Sequence, residues 1–393
     1  MMTSQQRFLS IMNFDKSCRV LQWELGYWAG TVRRWYREGL TMNQGIPDDL
    51  ENSGMVYGEL LPWPPDEHLK RFPKDHEVSS YFHFDEGFEN VQVNCWFWPP
   101  FEDRTLESHD GVVVQVDDMG ITREIRKDSD CGTLETSPRY LEWPVKNRED
   151  FEKIKEKFRP TLGDRVPSNW SELVEKYKGR KAPLALGGHP CGFFGSLRYL
   201  MGFENLCIAY YEEPQLIKDI VDFLAEFWVD LWHKVVSRIY VDCVHFWEDM
   251  SGIRGSLISP QLFREFMIPP YKKLIQSLKR DGIKNFLVDT DGDCTELIPL
   301  FLECGVTGMY PFESKALDLI RVRKNFPTLQ ILGGMGLDKV LAGKTEIDRE
   351  LARIRFLLKE GGYIPCTDNL VLPDISWENF KHYREELDRL IEK

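Results

Sequence analysis

The chain has 393 residues, 42% of them hydrophobic and 29% charged, with a formal net charge of -13. So acidic a balance argues against duplex nucleic acid and anionic membranes, which are held through clustered Lys and Arg. No run approaches the roughly 20 apolar residues of a membrane span, and residues 1–19 lack the apolar core of a secretory signal. Nine scattered cysteines form no tight framework, so reduced thiols and a cytoplasmic location are expected.

Residues 1–150 read as an extension with helical and antiparallel β segments. Residues 20–40 suggest a strand or turn followed by a helix rich in Trp and Arg. Leu61-Pro62-Trp63-Pro64-Pro65 and Trp98-Pro99-Pro100 mark irregular segments, because proline removes a backbone donor. Val91–Trp96 and Val112–Val116 read as strands, the second leading into the turn Asp117-Asp118-Met119-Gly120. This β-rich section is a candidate surface for a homodimer.

Residues 151–393 read as a (β/α)8 barrel of the α/β class. Short apolar runs at 183–188, 243–247, 285–288, 308–311, 329–334 and 362–365 alternate with helical stretches at 214–238, 260–280, 338–359 and 376–391. Continuous apolar runs separated by helices indicate buried parallel strands. Eight strands need about 250 residues, and the two strands not visible must precede Pro183. Phe223, Phe227, Trp228 and Trp232 fall at helical spacing and are expected in the core.

Catalytic groups of such barrels follow the strands. The six runs are followed in turn by His189-Pro190-Cys191, Glu248-Asp249, Asp289-Thr290-Asp291-Gly292-Asp293, Glu313, glycines only, and Cys366-Thr367-Asp368-Asn369. A single acid there is ordinarily a helix cap or a loop residue. Several acids around one mouth repel one another unless a proton or a cation lies between them. Asp289 and Asp291, two residues apart, share a face if extended. With Cys366 they are the candidate metal ligands; thiolate with carboxylates would suit Zn²⁺, and carboxylates alone Mg²⁺ or Mn²⁺. The plainer alternative is a turn in which Asp291 caps the helix near Thr295. His189, Glu248, Asp249 and Glu313 are the candidate catalytic residues, and Asp368 and Asn369 the candidate substrate-binding pair.

Several segments carry a family resemblance. Leu257-Ile258-Ser259-Pro260-x-x-Phe263-x-x-Phe266, Gly333-Gly334-Met335 and Pro373-Asp374-Ile375-Ser376-Trp377-Glu378-Asn379 resemble motifs of the uroporphyrinogen decarboxylase superfamily, with a weaker match at Arg34-Trp35-x-x-Glu38-Gly39. The decarboxylases' arginine-bearing "W-x-M-R-Q-A-G-R-Y" segment is not found, and Asn369 stands at the His of their "G-H-G". The chain is more similar to the corrinoid-dependent methyltransferases of the superfamily. Their zinc site uses His-x-Cys and a later Cys, and Asp289-Thr290-Asp291 occupies the His-x-Cys position here. The resemblance implies methyl transfer between a small substrate, with O-methyl aromatics as one class, and a corrinoid carried by a partner protein, assisted by a divalent metal. A decarboxylase or lyase acting on another acid, and a non-catalytic corrinoid- or pterin-binding relative, are the alternatives.

Overall fold

The six barrel strands from residue 184 onward are buried on both faces, which is why the sequence shows continuous apolar runs there instead of alternation. In the run at 243–247, Val244 and Phe246 pack outward against helices, while Cys243 joins Leu287, Leu332, Ile364 and Cys366 in an interior cluster. The computed structural model describes residues 2–58, 73–126 and 138–392. Its main sheet has seven strands: β1 (Glu89–Asn90), β2 (Leu184–Gly187), β3 (Cys243–Trp247), β4 (Asn285–Asp289), β5 (Gly308–Phe312), β6 (Gln330–Met335) and β7 (Tyr363–Thr367). They lie side by side in chain order, and every pair is parallel.

Residues 21–25 fill the gap between β7 and β1. Leu21, Trp23 and Leu25 alternate into the interior cluster beside Phe88 and Cys366, and the Trp23 and Phe88 rings lie 5.0 Å apart. Glu24 faces the other way. Its carboxylate accepts from the Thr367 backbone N and hydroxyl and from Tyr383 and Arg384. The barrel therefore takes two staves from before residue 150. Both lie before residue 150 and before Pro183, and of the two Glu89–Asn90 pairs in parallel with Leu184–Ala185. Helix Ser4–Met12, started by a capping box at Thr3, covers the opposite end. There Gln5 reaches Asp242 and the Ile11 carbonyl accepts from Gly362.

The expected helices form with local departures. Pro214–Val236 runs from its N-terminal proline as anticipated, and Trp228 and Trp232 are wholly buried on it. The stretch at 260–280 includes a π-wound turn, Phe263–Met267. The stretch at 338–359 breaks at Gly343, whose φ of 102° suits glycine. Val112–Val116 forms as expected within a four-stranded antiparallel sheet, and Asp117 caps its turn by accepting from Met119 and Ile121. Val91–Trp96, in contrast, is not a strand beyond Asn90. Asn94 accepts from Trp96 N through its own side chain, and Arg165 holds the Asn94 and Trp96 carbonyls, so these groups are lost to a ladder. Residues 61–65 lie outside the described residues. Among the described residues, no helix is long and apolar enough to cross a membrane.

Candidate active site at the barrel mouth

Strand parity decides which groups reach the mouth. Leu287 faces the interior and Phe286 and Val288 face the helices, so Asp289 faces inward. The turn after it is held by Asp293, whose carboxylate accepts from the Thr295 backbone N and hydroxyl. Asp291 is thus not the turn's cap. Gly292 has a φ of 77°, donates its N–H to Glu313, and packs so closely on Gly252 that a Cβ would lie 2.6 Å from that backbone. This close approach carries Asp291 over the mouth.

There the charges of Asp249, Glu313 and Asp368 act on Asp291. Burial first, and then those three negative charges, push its carboxyl from 3.8 up to about 7. Asp368 accepts from the backbone N–H groups of Leu337 and Ser314 and from the Ser314 hydroxyl, tying together the loops after β5 and β6. Burial nonetheless raises its carboxyl to about 6. Asp249, at a φ of 43°, pairs with Arg198 at 2.7 Å. Asn369, next to Asp368, has its side-chain oxygen on the Leu370 N–H.

An aromatic wall closes the side between β2 and β3. His189 is exposed and hydrogen-bonds to the Tyr199 hydroxyl at 2.8 Å. Its ring stands edge-on to Trp247 at 4.7 Å, and Tyr199 stacks on Trp247 at 5.3 Å. Deeper on β3, His245 points into the barrel and bonds through Nε2 to the Tyr310 carbonyl at 2.8 Å. Burial holds its ring down to about 4, so it is neutral at pH 7. A carbonyl partner requires the proton on Nε2, which leaves Nδ1 as a lone-pair acceptor.

Glu248 does not join this group. It lies on the outward parity of β3, is fully buried, and accepts from Phe193 N and Gly195 N at 2.8 Å and from Tyr271. Burial pushes its carboxyl up to about 7 against these bonds, and the group anchors the N-terminus of helix Phe193–Met201, the helix that carries Arg198 and Tyr199. Expected among the catalytic residues, Glu248 is instead placed here beneath the mouth, on a helix N-terminus. Cys366 is wholly buried in the interior cluster. Among the described residues, no three His, Cys, Asp or Glu side chains are grouped to hold a metal ion. Asp289, Asp291 and Cys366 are therefore not assembled as a ligand set among the described residues.

A family model for uroporphyrinogen decarboxylase matches residues 109–390. The chain belongs to the uroporphyrinogen decarboxylase family. No curated protein matches its sequence. Among solved structures, a methyltransferase from Methanosarcina mazei is similar in fold, at a TM-score of 0.57 and 16% identity over 99% of both chains. Two of the segments that carry the resemblance meet in the structure. Arg34 donates to the Pro373 carbonyl, the Trp35 indole to the Ile375 carbonyl, and Trp377 N to Glu38.

His245, Trp247, Arg198 and Tyr199 were not singled out from the sequence. His245 and Trp247 share the inward parity of Cys243, a signal present in the run itself. Arg198 and Tyr199 sit mid-helix with no spacing to mark them.

Proposed function

We propose that this family member moves a methyl group between a small substrate and a corrinoid carried by a partner protein, with Asp291 as the acid. The observation that carries the reading is a carboxyl held protonated near neutral pH by burial and by three acids, at the ends of barrel strands. When its carrier is docked, the corrinoid would supply the nucleophile or accept the methyl group. The protein's task is then to bind, orient and move a proton. As the methyl group leaves the substrate heteroatom, negative charge develops on that atom. Asp291, poised near pH 7, donates its proton there. Asp249, Glu313 and Asp368 make loss of that proton costly in the resting site, which keeps the acid loaded until a better base arrives. His245, neutral and with Nδ1 as acceptor, orients a donor group of the substrate. Trp247, Tyr199 and His189 offer a flat wall for an apolar or aromatic substrate body.

A decarboxylase of an anionic substrate is less well supported. Arg198 at the mouth is already paired with Asp249, and the surrounding acids repel a carboxylate. The test incubates the protein with reduced free cobalamin and, in turn, an aryl methyl ether, a methylamine and a methyl thioether, following cobalamin alkylation by its visible spectrum. Alkylation dependent on the protein and weakened in Asp291→Asn supports the reading. No alkylation with any donor, or full activity in Asp291→Asn, overturns it.

A further inference from the structure

The loops around the mouth fall into two hydrogen-bonded sets. In the first, the Asp289 carbonyl accepts from Glu248 N at 2.9 Å and Asp249 N at 3.2 Å, and the Gly252 carbonyl accepts from Asp293 N at 2.9 Å. The Thr290 hydroxyl accepts from Met250 N at 3.0 Å. These bonds fasten the segment that carries Asp291 to the loop after β3. In the second set, Asp368 N donates to the Met335 carbonyl at 3.0 Å, and Leu337 N donates to one Asp368 carboxylate oxygen at 3.0 Å. These bonds fasten Asp368 to the loop after β6.

Two consecutive residues past the end of β5 join the sets. Glu313 reaches the first: its carboxylate accepts at 2.5 Å from Gly292 N, the residue after Asp291. Ser314 reaches the second: its N–H and its hydroxyl both donate to the other Asp368 oxygen, at 3.2 and 3.0 Å. Both joints are tight. A Cβ on Gly292 would lie 2.6 Å from the Gly252 backbone, and a Cβ on Gly336 would lie 2.9 Å from the Ser314 hydroxyl.

We propose, on the reading of Asp291 as the acid, that Glu313 and Ser314 are positioning residues forming a clasp across the mouth. Glu313 holds the Gly292 backbone and so sets where Asp291 lies. Ser314 holds Asp368 and ties the second set of loops to the first. The two act by different routes. Placement matters steeply, because a shift of about 1 Å in a reacting group costs about 100-fold in rate. Charge matters as well. Burial, and then the charges of Glu313 and Asp338, raise the Asp368 carboxyl, and the bonds from Leu337 N and the Ser314 hydroxyl work against them. Asp338 is paired with Lys339, and Asp249 with Arg198. An Asp368 kept ionised by Ser314 acts with Asp249 and Glu313 to hold the proton on Asp291.

The test reads two quantities in the full-length protein by NMR. One is the titration midpoint of the Asp291 carboxyl, assigned by its disappearance in Asp291→Asn. The other is the exchange rate of the Gly292 amide proton. The midpoint should fall by about one pH unit in both Glu313→Gln and Glu313→Ala, which lose the same charge. The Gly292 amide should exchange at least about 10-fold faster in Glu313→Ala, whereas the Gln side chain still offers an acceptor and keeps most of the protection. Ser314→Ala should lower the midpoint by a smaller amount, and Ser314→Thr, which restores the hydroxyl, should return it. With any methyl donor that is turned over, Glu313→Ala should be slower than Glu313→Gln at every pH.

An Asp291 midpoint unmoved in both Glu313 variants overturns the clasp. So does a Gly292 amide that exchanges at the wild-type rate in Glu313→Ala. Both results are read without turnover, so they stand apart from the proposed reaction. If the midpoint and the exchange rate shift as expected while no donor alkylates cobalamin, the clasp stands and the methyl-transfer reading falls.

Discussion

Replacing Asp291 with Asn removes a carboxyl while keeping its shape, and the structure fixes the sign and size of the effect on stability. In the folded protein this carboxyl titrates at about 7, against 3.8 when unperturbed. A difference of about three pH units corresponds to about 4 kcal/mol. Because the folded value is raised, the favourable contribution is fully present below pH 3.8 and is lost as pH rises through about 7. His245 acts in the opposite sense. Its folded value of about 4 lies below 6.5, so its contribution is present above pH 6.5 and is lost as pH falls toward 4. Between those limits the two partly offset each other in the wild type, and the variant must be compared with the wild type at each pH. Urea unfolding at pH 4, 5, 6, 7 and 8 should show Asp291→Asn gaining relative stability with rising pH. The ceiling is about 4 kcal/mol, and about 2 kcal/mol is expected after Asp249, Glu313 and Asp368 relax. Parallel stability curves for the two proteins across this range would refute the reasoning that these acids crowd Asp291.

Three further outcomes follow from the same contacts. Glu248→Ala leaves the Phe193 and Gly195 N–H groups and the Tyr271 hydroxyl without their buried acceptor; a loss of about 3 kcal/mol or more is expected in denaturant titration, with Glu248→Gln losing less. Arg384→Met strands the fully buried Glu24, its partner at 2.7 Å, and should cost about 3–5 kcal/mol. The double variant with Glu24→Gln should lose less than the two single losses combined; additive losses would show that the pair does not act as a unit. His245 should titrate near pH 4 by NMR, with its proton on Nε2, and a midpoint near 6.5 would place its ring in water instead of against Tyr310.

Much of the barrel was legible because six of its strands are continuous apolar runs, and their observed bounds differ from the expected ones by a residue or two. Those same runs hid the site's detail. When both faces of a strand are buried, hydrophobicity does not reveal which parity points inward, and a shift of one residue reverses every assignment. Glu248 and Asp249 show the consequence. The sequence presents them as neighbouring acids, yet one anchors a helix outside the barrel and the other lies at the mouth. The segment at 21–25 was legible as a strand or turn but not as part of the barrel, because its alternate residues face different surroundings, Glu24 toward Arg384 and Trp23 toward Phe88. Val91–Trp96 misled in the other direction. Its composition favours a strand, but Asn94 and Arg165 take up the groups a ladder would need. Asp291, Asp249, Glu313 and Asp368 stood out in the sequence because they directly follow strands, where barrel chemistry is placed; Asp291 was read there as a metal ligand.

In the proposed reaction Asp291 is the proton donor to the departing heteroatom. The pH dependence of alkylation of reduced free cobalamin, measured as kcat/KM for wild type and Asp291→Asn with whichever methyl donor is turned over, tests this most directly. The wild-type rate should fall as pH rises through about 7, and the variant should be slower below pH 7 and have lost that fall. A variant with the wild-type profile and rate would contradict it.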